Sequence, residues 1–274
     1  MKSRARIAAL ALLAVVAVLA LVIRHLLATP VVPAIVTRDA DAHRELSASL
    51  FAHVDRWLHE RVSGDRTGRP RLVALTFDDG PYPVQTPLLL DVLHDLRVPA
   101  TFFLIGDDTE LFPQLAQRIA AAGNEIANHT QTHPARFDAL DPQQVEGELR
   151  AGAATLHRYV HDRAIVTMMR PPHGRFTERT VETAQHAGYD VILWNDDPGD
   201  WRAAAMPAVI DAHVGRYATA PDIILLHSGR MNTIAALPVL VARFRAAGFQ
   251  FVTVGDLMRR VPTAQIIHPE RLRV

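Results

Sequence analysis

The sequence predicts an α/β protein whose parallel sheet has about seven strands, preceded by a transmembrane helix. From Arg71 onward, short apolar runs alternate with longer segments of helical periodicity, which is the pattern of a strand–helix–strand repeat. Near the N-terminus, residues 7–23 form one unbroken apolar run. These two observations predict the fold class and leave open whether the sheet is open or closes into a barrel.

The composition narrows the range of functions. The chain of 274 residues has 29 Lys and Arg against 29 Asp and Glu, so its net charge gives no overall attraction to nucleic acid. It has no cysteine, which excludes disulfides, thiolate ligands and cysteine nucleophiles. Histidine is in surplus, with 14 residues, and the positions of the histidines matter more than their number.

Residues 1–30 are predicted to be a basic cytoplasmic tip followed by a signal anchor. The apolar run from Ile7 to Ile23 spans roughly 26 Å as a helix, and Leu26 to Ala28 extend it. No small-x-small cleavage site is evident, so an uncleaved anchor is favoured over a cleaved signal peptide, which would give a secreted protein. Three basic residues before the run against one just after it place the N-terminus in the cytoplasm and the rest outside the inner membrane.

The next segment, residues 31–70, is predicted to be a linker that contains an amphipathic helix. Its apolar residues recur at helical spacing between Asp39 and Val62. The globular domain is expected to cover residues 71–262, and residues 263–274 form a C-terminal tail.

The globular domain divides into alternating elements. The expected strands are Arg71–Phe77, Ala100–Ile105, Glu125–Ala127, Ile165–Met169, Asp190–Trp194, Asp222–Leu226 and Gln250–Val254. The expected helices are Thr86–Leu96, Leu111–Ala122, Asp141–Tyr159, Thr177–Ala187, Ala204–Tyr217 and Ile234–Ala247. Three of these helices are followed by a glycine that is suited to a left-handed C-cap.

Polar residues follow five of the expected strands at their C-terminal ends. They are Asp78 and Asp79; Asn128, His129 and His133; Arg170; Asp196, Asp197 and Asp200; and His227. In parallel α/β sheets, open or closed, ligands bind at the C-terminal ends of the strands. Any one of these residues could be a cap or a surface charge, but their shared placement predicts a functional site there.

The segment HTQTH contains a candidate pair of metal ligands. His129 and His133 are four residues apart, which on a helical turn sets both imidazoles on one face about 5–6 Å apart. The alternative is two exposed histidines without a ligand role. Because the segment lacks the glutamate of H-E-x-x-H, a third ligand and a general base must come from elsewhere. Asp78 and Asp79 can provide both, which gives a three-ligand site of the catalytic-zinc type.

Three further motifs each have a structural and a functional interpretation. Arg170 in RPPHG is either a surface charge or a guanidinium that holds a carboxylate bidentately. The segment DDPGDW is a tight turn, or it sets an acid beside an aromatic wall, Trp201. His227, after an apolar strand, is either structural or a general acid whose pKa is raised by a carboxylate partner.

In combination, these motifs resemble the polysaccharide deacetylase family, also called the NodB homology or carbohydrate esterase family 4 domain. The resemblance extends over about Arg71 to Arg260, and five family motifs have counterparts in order: TFDDGP, HTQTH, RPPHG, DPGDW and LLH. It implies a distorted (β/α) barrel. It also implies that residues 71–262 are a catalytic domain that hydrolyses N-acetyl groups of amino sugars with a metal-activated water.

The resemblance implies roles in proton transfer for four residues. Asp78 would be the general base and Arg170 would orient it. His227 would be the general acid that protonates the leaving amine, and Asp200 would tune it.

The resemblance also implies a metal site and a pocket. Asp79, His129 and His133 would hold a divalent metal, with zinc expected first and cobalt or nickel as alternatives. Trp201 and Leu225 would line the pocket for the acetyl methyl group.

One position departs from the family pattern. His173 stands where the third motif usually carries Tyr or Phe, so the pocket beside the sugar is expected to change more than the chemistry, because the oxyanion donor there is a backbone N–H. The expected partner is an N-acetylated glycan, peptidoglycan or an exported polysaccharide. An O-deacetylase, a non-sugar amidase and an anchored glycan-binding protein without turnover are the alternatives.

Overall fold

The structure, a computed structural model, describes residues 71–160, 165–202 and 222–261. The predicted anchor (1–30), the linker with its amphipathic helix (31–70), the helix expected at 204–217 and the C-terminal tail (263–274) lie outside the described residues. Within the described ranges, no helix is both long enough and apolar enough to cross a membrane.

Seven strands form one sheet, and every pairing between them is parallel, as predicted. The strands are β1 (Arg71–Asp78), β2 (Ala100–Leu104), β3 (Glu125–Asn128), β4 (Ile165–Met169), β5 (Asp190–Val191), β6 (Asp222–His227) and β7 (Phe249–Phe251). Their spatial order is β5-β4-β3-β2-β1-β6, and β7 pairs with the first residues of β1.

The two edges of this sheet meet through the segment that follows β5. Asp196 forms a parallel bridge with Ile224 of β6, and the Leu225 N–H donates to the Asp196 carbonyl at 2.9 Å. The Asn195 N–H donates to the Ile223 carbonyl, also at 2.9 Å. This contact fits a barrel that is distorted on one side, where a bridge takes the place of a full strand.

Strand β5 is shorter than the expected Asp190–Trp194, and the reason is chemical. The Arg170 guanidinium donates to the carbonyls of Ile192 at 3.1 Å and Leu193 at 3.2 Å. Because these acceptors serve an arginine, they are not used in a strand ladder.

Seven helices connect the described strands or follow them. They are α1 (Gln85–Leu96), α2 (Gly106–Leu111), α3 (Pro113–Ala121), α4 (Pro142–Tyr159), α5 (Glu178–His186), α6 (Met231–Ala246) and α7 (Val254–Arg260). Short 3-10 turns occur at Phe137–Ala139 and Pro172–Gly174. The glycines after α3, α5 and α6 have φ values of 81°, 88° and 80°, as the C-cap prediction requires.

Two further boundary predictions, one of a helix and one of a strand, were wrong. The helix expected at Leu111–Ala122 is α3, which begins at Pro113 because proline lacks an N–H and suits the first turn of a helix, and a separate helix that was not predicted, α2, ends just before it. The strand expected to reach Val254 ends at Phe251, and α7 begins instead. The Thr253 hydroxyl caps this helix by accepting the Asp256 N–H at 3.2 Å.

Alternation along β1 separates two apolar layers and points the site inward. Val73 and Phe77 pack between the sheet and the helices, whereas Leu72 and Ala74 pack in the barrel interior. Since side chains alternate along a strand, Asp78 continues the inward row and reaches the barrel mouth.

Candidate active site

The end of β1 brings two adjacent carboxylates to one place. Asp78 is the last residue of the strand, and Asp79 has a left-handed backbone with φ of 68°. Aspartate tolerates this region better than most residues, and the turn lets both side chains face the barrel mouth. The Ser228 hydroxyl lies 3.0 Å from the carbonyl oxygens of both aspartates, which supports the turn.

Asp79, His129 and His133 form a candidate metal site. One ligand atom from each residue lies within 4.8 Å of the others. The Asp79 Oδ1 atom is 3.7 Å from His129 Nε2 and 3.5 Å from His133 Nε2. Ligands of a tetrahedral ion at ~2.1 Å are about 3.4 Å apart, so two imidazoles and a carboxylate at this spacing fit a divalent ion such as zinc.

The surroundings of the two histidines favour the ligand form of each imidazole. His129 Nδ1 lies 2.9 Å from the Arg170 carbonyl oxygen, so this nitrogen is assigned the proton and Nε2 keeps its lone pair toward Asp79. Burial lowers the pKa of His129 to about 3 and also lowers the pKa of His133. Both rings are therefore neutral near pH 7, as metal binding requires.

Arg170 binds the candidate base, Asp78, from within the barrel. Its guanidinium is fully buried and donates to Asp78 Oδ1 at 2.6 Å and to the Thr76 hydroxyl at 2.8 Å. It also lies 4.1 Å from the centre of the Phe103 ring. With the carbonyls after β5 also bound, the guanidinium holds the carboxylate in one orientation.

The environment of Asp78 suits a proton acceptor. Burial raises the pKa of the Asp78 carboxyl, and the charge and hydrogen bond of Arg170 only partly oppose that effect. A raised pKa brings a carboxylate closer to the range in which a general base works well near pH 7.

His227, at the end of the strand next to β1, forms a second acid–base pair with Asp200. Asp200 Oδ1 lies 2.7 Å from His227 Nδ1, and Asp200 Oδ2 accepts the His227 backbone N–H at 2.8 Å. The Thr233 hydroxyl donates to the same Oδ2 at 2.6 Å. Burial lowers the pKa of His227, but the hydrogen bond and charge of Asp200, together with the charges of Asp78 and Asp79, outweigh it, so the pKa is raised.

We expect Asp200→Asn to move the alkaline limb of the kcat profile to lower pH. A general acid works while it is protonated, so its contribution is lost as pH rises through its pKa. Loss of the Asp200 charge removes an effect that raises the pKa of His227, so burial is opposed less and this pKa falls. The measurement is kcat against pH for both proteins.

Thr233→Val is the matched control for this variant, because it removes a hydrogen bond to Asp200 and leaves the charge. The alkaline limb of the kcat profile of Thr233→Val should stay closer to that of the wild type. An unchanged limb in Asp200→Asn would show that His227 is not the titrating acid.

The three predicted pocket residues occupy different positions. Leu225 is buried on β6, paired in register with Thr76 of β1. His173 is exposed, and its ring centre lies 4.4 Å from that of His133. Trp201 is 45% exposed, with the Arg202 guanidinium 5.1 Å from its ring centre. His173 thus lies beside the candidate metal site, and the roles of Trp201 and Leu225 stay predictions.

Sequence reasoning missed several polar residues that support the site. Thr76 and Thr233 hold Arg170 and Asp200, and Ser228 holds the turn after β1. The sequence positions of two of them could have indicated a role, because Thr76 is a polar residue within a buried strand and Ser228 directly follows the predicted acid, His227. No sequence feature indicated the role of Thr233, since its partner, Asp200, lies 33 positions away along the chain.

Comparison with known proteins shows which family the chain is related to. The sequence profile of the polysaccharide deacetylase family matches residues 65–192. A peptidoglycan-N-acetylglucosamine deacetylase of Bacillus cereus is 35% identical over 203 residues, which cover 72% of this chain and 93% of the relative. A chitooligosaccharide deacetylase of Sinorhizobium fredii is 39% identical over 196 residues, which cover 67% and 89%.

A solved structure supplies a contrast. A CE4 family pseudoenzyme from Bacillus anthracis matches with a TM-score of 0.65 and 25% identity, over 69% of this chain and 66% of that one. The fold therefore occurs with and without activity, so activity has to be inferred from the polar residues at the barrel mouth and not from the fold alone. The motifs, the barrel and the identity to named deacetylases agree, so the chain belongs to the polysaccharide deacetylase family and is a hydrolase of the deacetylase class.

Proposed function

We propose that this enzyme removes N-acetyl groups from an N-acetylated amino-sugar polymer, either peptidoglycan or an exported polysaccharide. The observation that carries the proposal is the buried Asp78–Arg170 pair beside the Asp79, His129 and His133 cluster. The names of the relatives, peptidoglycan and chitooligosaccharide deacetylases, support a sugar acetamide as the group attacked.

The metal site has a defined part in this proposal. A divalent ion held by Asp79, His129 and His133, zinc in the first instance, would lower the pKa of a water and polarise the acetamide carbonyl. Asp78 accepts a proton from the attacking water, and Arg170 keeps the carboxylate oriented during that transfer. The Asp78 Oδ2 atom lies 3.8 Å from His129 Nε2, so the base is next to the ligand cluster.

His227 completes the reaction. It is paired in register with Asp78 on the neighbouring strand, so the acid and the base face the same volume. Protonated His227 gives its proton to the amide nitrogen as the carbon–nitrogen bond breaks, which yields acetate and a free amine. Asp200 stabilises the protonated imidazole through its 2.7 Å contact.

The location of the enzyme is part of the proposal. The basic residues before the apolar run of residues 7–23 favour an N-terminus inside the inner membrane and a catalytic domain outside it. Both proposed substrates lie on that outer side.

A glycan-binding protein without turnover is the poorer account. Binding alone does not need a carboxylate buried to 4% exposure and held by a fully buried arginine, because a buried charge pair of this kind is costly to desolvate. The cost of desolvating this pair has a reason if the Asp78 carboxylate takes part in the reaction.

The test is acetate release from a panel of N-acetylated glycans by the full-length chain, purified in detergent, with product masses determined in parallel. We expect release from at least one N-acetylglucosamine polymer, together with products that carry free amines. Release only from O-acetylated glycans or non-sugar acetamides would replace the proposal with one of its alternatives. Binding without release from any substrate would favour the non-catalytic protein.

A further inference from the structure

The loop that joins the two histidine ligands has an unusual backbone. Thr130 and His133 both have left-handed conformations, with φ of 69° and 51°. Such conformations cost about 1–2 kcal/mol each in residues other than glycine, so the loop needs support from its surroundings. Within the loop, the Thr130 hydroxyl accepts the His133 N–H at 3.1 Å, which supports one end.

Glu148 of helix α4 supports the centre of the loop. Its Oε2 atom accepts the backbone N–H groups of Gln131 at 3.1 Å and Thr132 at 2.9 Å. Its Oε1 atom accepts the Thr132 hydroxyl at 2.9 Å. Successive backbone N–H groups in such a turn form a natural anion site, and here the anion is a side chain of the protein itself.

The close approach of α4 to the loop depends on a glycine one turn after Glu148. A Cβ atom at Gly152 would lie 2.6 Å from Asn128 Oδ1 and 3.1 Å from the carbonyl carbon of Thr130. Residues four apart lie on one helix face, so Gly152 and Glu148 face the loop together. Because Gly152 has no side chain, α4 can pack close enough to the loop for the Glu148 carboxylate to reach it.

Helix α2 holds the loop from another side. The Gly106 N–H donates to the Thr130 carbonyl at 3.0 Å, and the Asp107 N–H donates to the Gln131 carbonyl at 2.9 Å. The loop carbonyls are thus bound to α2, while two of its N–H groups are bound to one carboxylate of α4. Glu148 is therefore the side chain that holds the N–H groups of Gln131 and Thr132 at the centre of the loop.

We infer that Glu148 is a positioning residue for the metal site, which sets the spacing of His129 and His133 through the loop between them. The inference rests on the proposed function, because it takes these histidines to be metal ligands. Residues that orient metal ligands typically change metal affinity by 10–100-fold when they are replaced.

The test measures Co²⁺ affinity and the visible Co²⁺ spectrum for the metal-free, full-length chain. We expect Glu148→Ala to bind Co²⁺ about 10–100-fold more weakly and with an altered spectrum. Glu148→Gln keeps one carbonyl oxygen for the two N–H groups, so its loss should be smaller than that of Glu148→Ala. Glu146→Ala, at an exposed position on the same helix, is the control and should bind as the wild type does.

Wild-type affinity and an unchanged spectrum in Glu148→Ala would overturn the inference. If that variant does not fold, Glu148→Gln decides, because weaker binding supports the inference and wild-type binding refutes it. Failure of the proposed function looks different: the wild type would bind Co²⁺ and release no acetate from any glycan.

Discussion

Replacement of Asp78 by Asn is expected to lower kcat for acetate release by about 10²–10⁴-fold while the metal stays bound. An amide has nearly the shape of a carboxylate but cannot accept the proton of the attacking water. Asp78 is not one of the three clustered ligands, so the metal site keeps its donors. Zinc affinity and kcat, measured on the same preparation, check both halves of the expectation.

The same variant should also be less stable. Asp78 and Arg170 are both buried and lie 2.6 Å apart, so loss of the negative charge leaves a buried guanidinium without its counter-ion. Removal of one partner of such a pair costs about 3–5 kcal/mol in the free energy of unfolding. A variant that keeps most of its turnover would contradict the assignment of Asp78 as the base, whatever its stability.

Replacement of Asp79 is expected to abolish metal binding and turnover together. Asp79→Ala removes the only carboxylate of the clustered ligands in the described part of the chain. Loss of a direct ligand should exceed the effect of a supporting residue, so zinc affinity should fall by more than about 100-fold. Zinc titration of the metal-free chain measures this.

The backbone at Asp79 calls for a second variant. Its φ of 68° suits Asp and Asn better than Ala, so Asp79→Asn separates ligand loss from backbone strain. Asp91→Ala, at an exposed position on α1, is the control for the loss of an acidic residue and should bind zinc normally. Zinc affinity that is unchanged in Asp79→Asn would show that this carboxylate is not a ligand.

The strands and the site were predictable because both depend on local signals. Buried strands such as Ala100–Leu104 are short apolar runs, and polar residues after a parallel strand must lie at one end of the sheet. That rule sets Asp78 and His227 at the same end, although the two are distant in sequence, and the structure adds that their strands are neighbours. Seven parallel strands were confirmed, and all their boundaries except the ends of β5 and β7 agree with the prediction to within one residue.

Elements that depend on distant partners could not be predicted. The shortness of β5 follows from the demand of Arg170 for two carbonyls, which no pattern in residues 190–194 reveals. The bridge between Asp196 and Ile224 likewise depends on how the sheet curls. The contact of Glu148 with the ligand loop needs α4 to pack closely at Gly152, and this packing is a tertiary feature.

We propose that deacetylation by this chain depends on a metal held by Asp79, His129 and His133. The most direct test of this proposal is acetate release from an N-acetylglucosamine polymer by the full-length chain as purified, after chelation, and after zinc is restored. We expect release to be lost on chelation, to return with zinc in the wild type, and not to return in Asp79→Asn. Release that continues undiminished in the chelated wild type would contradict the proposal.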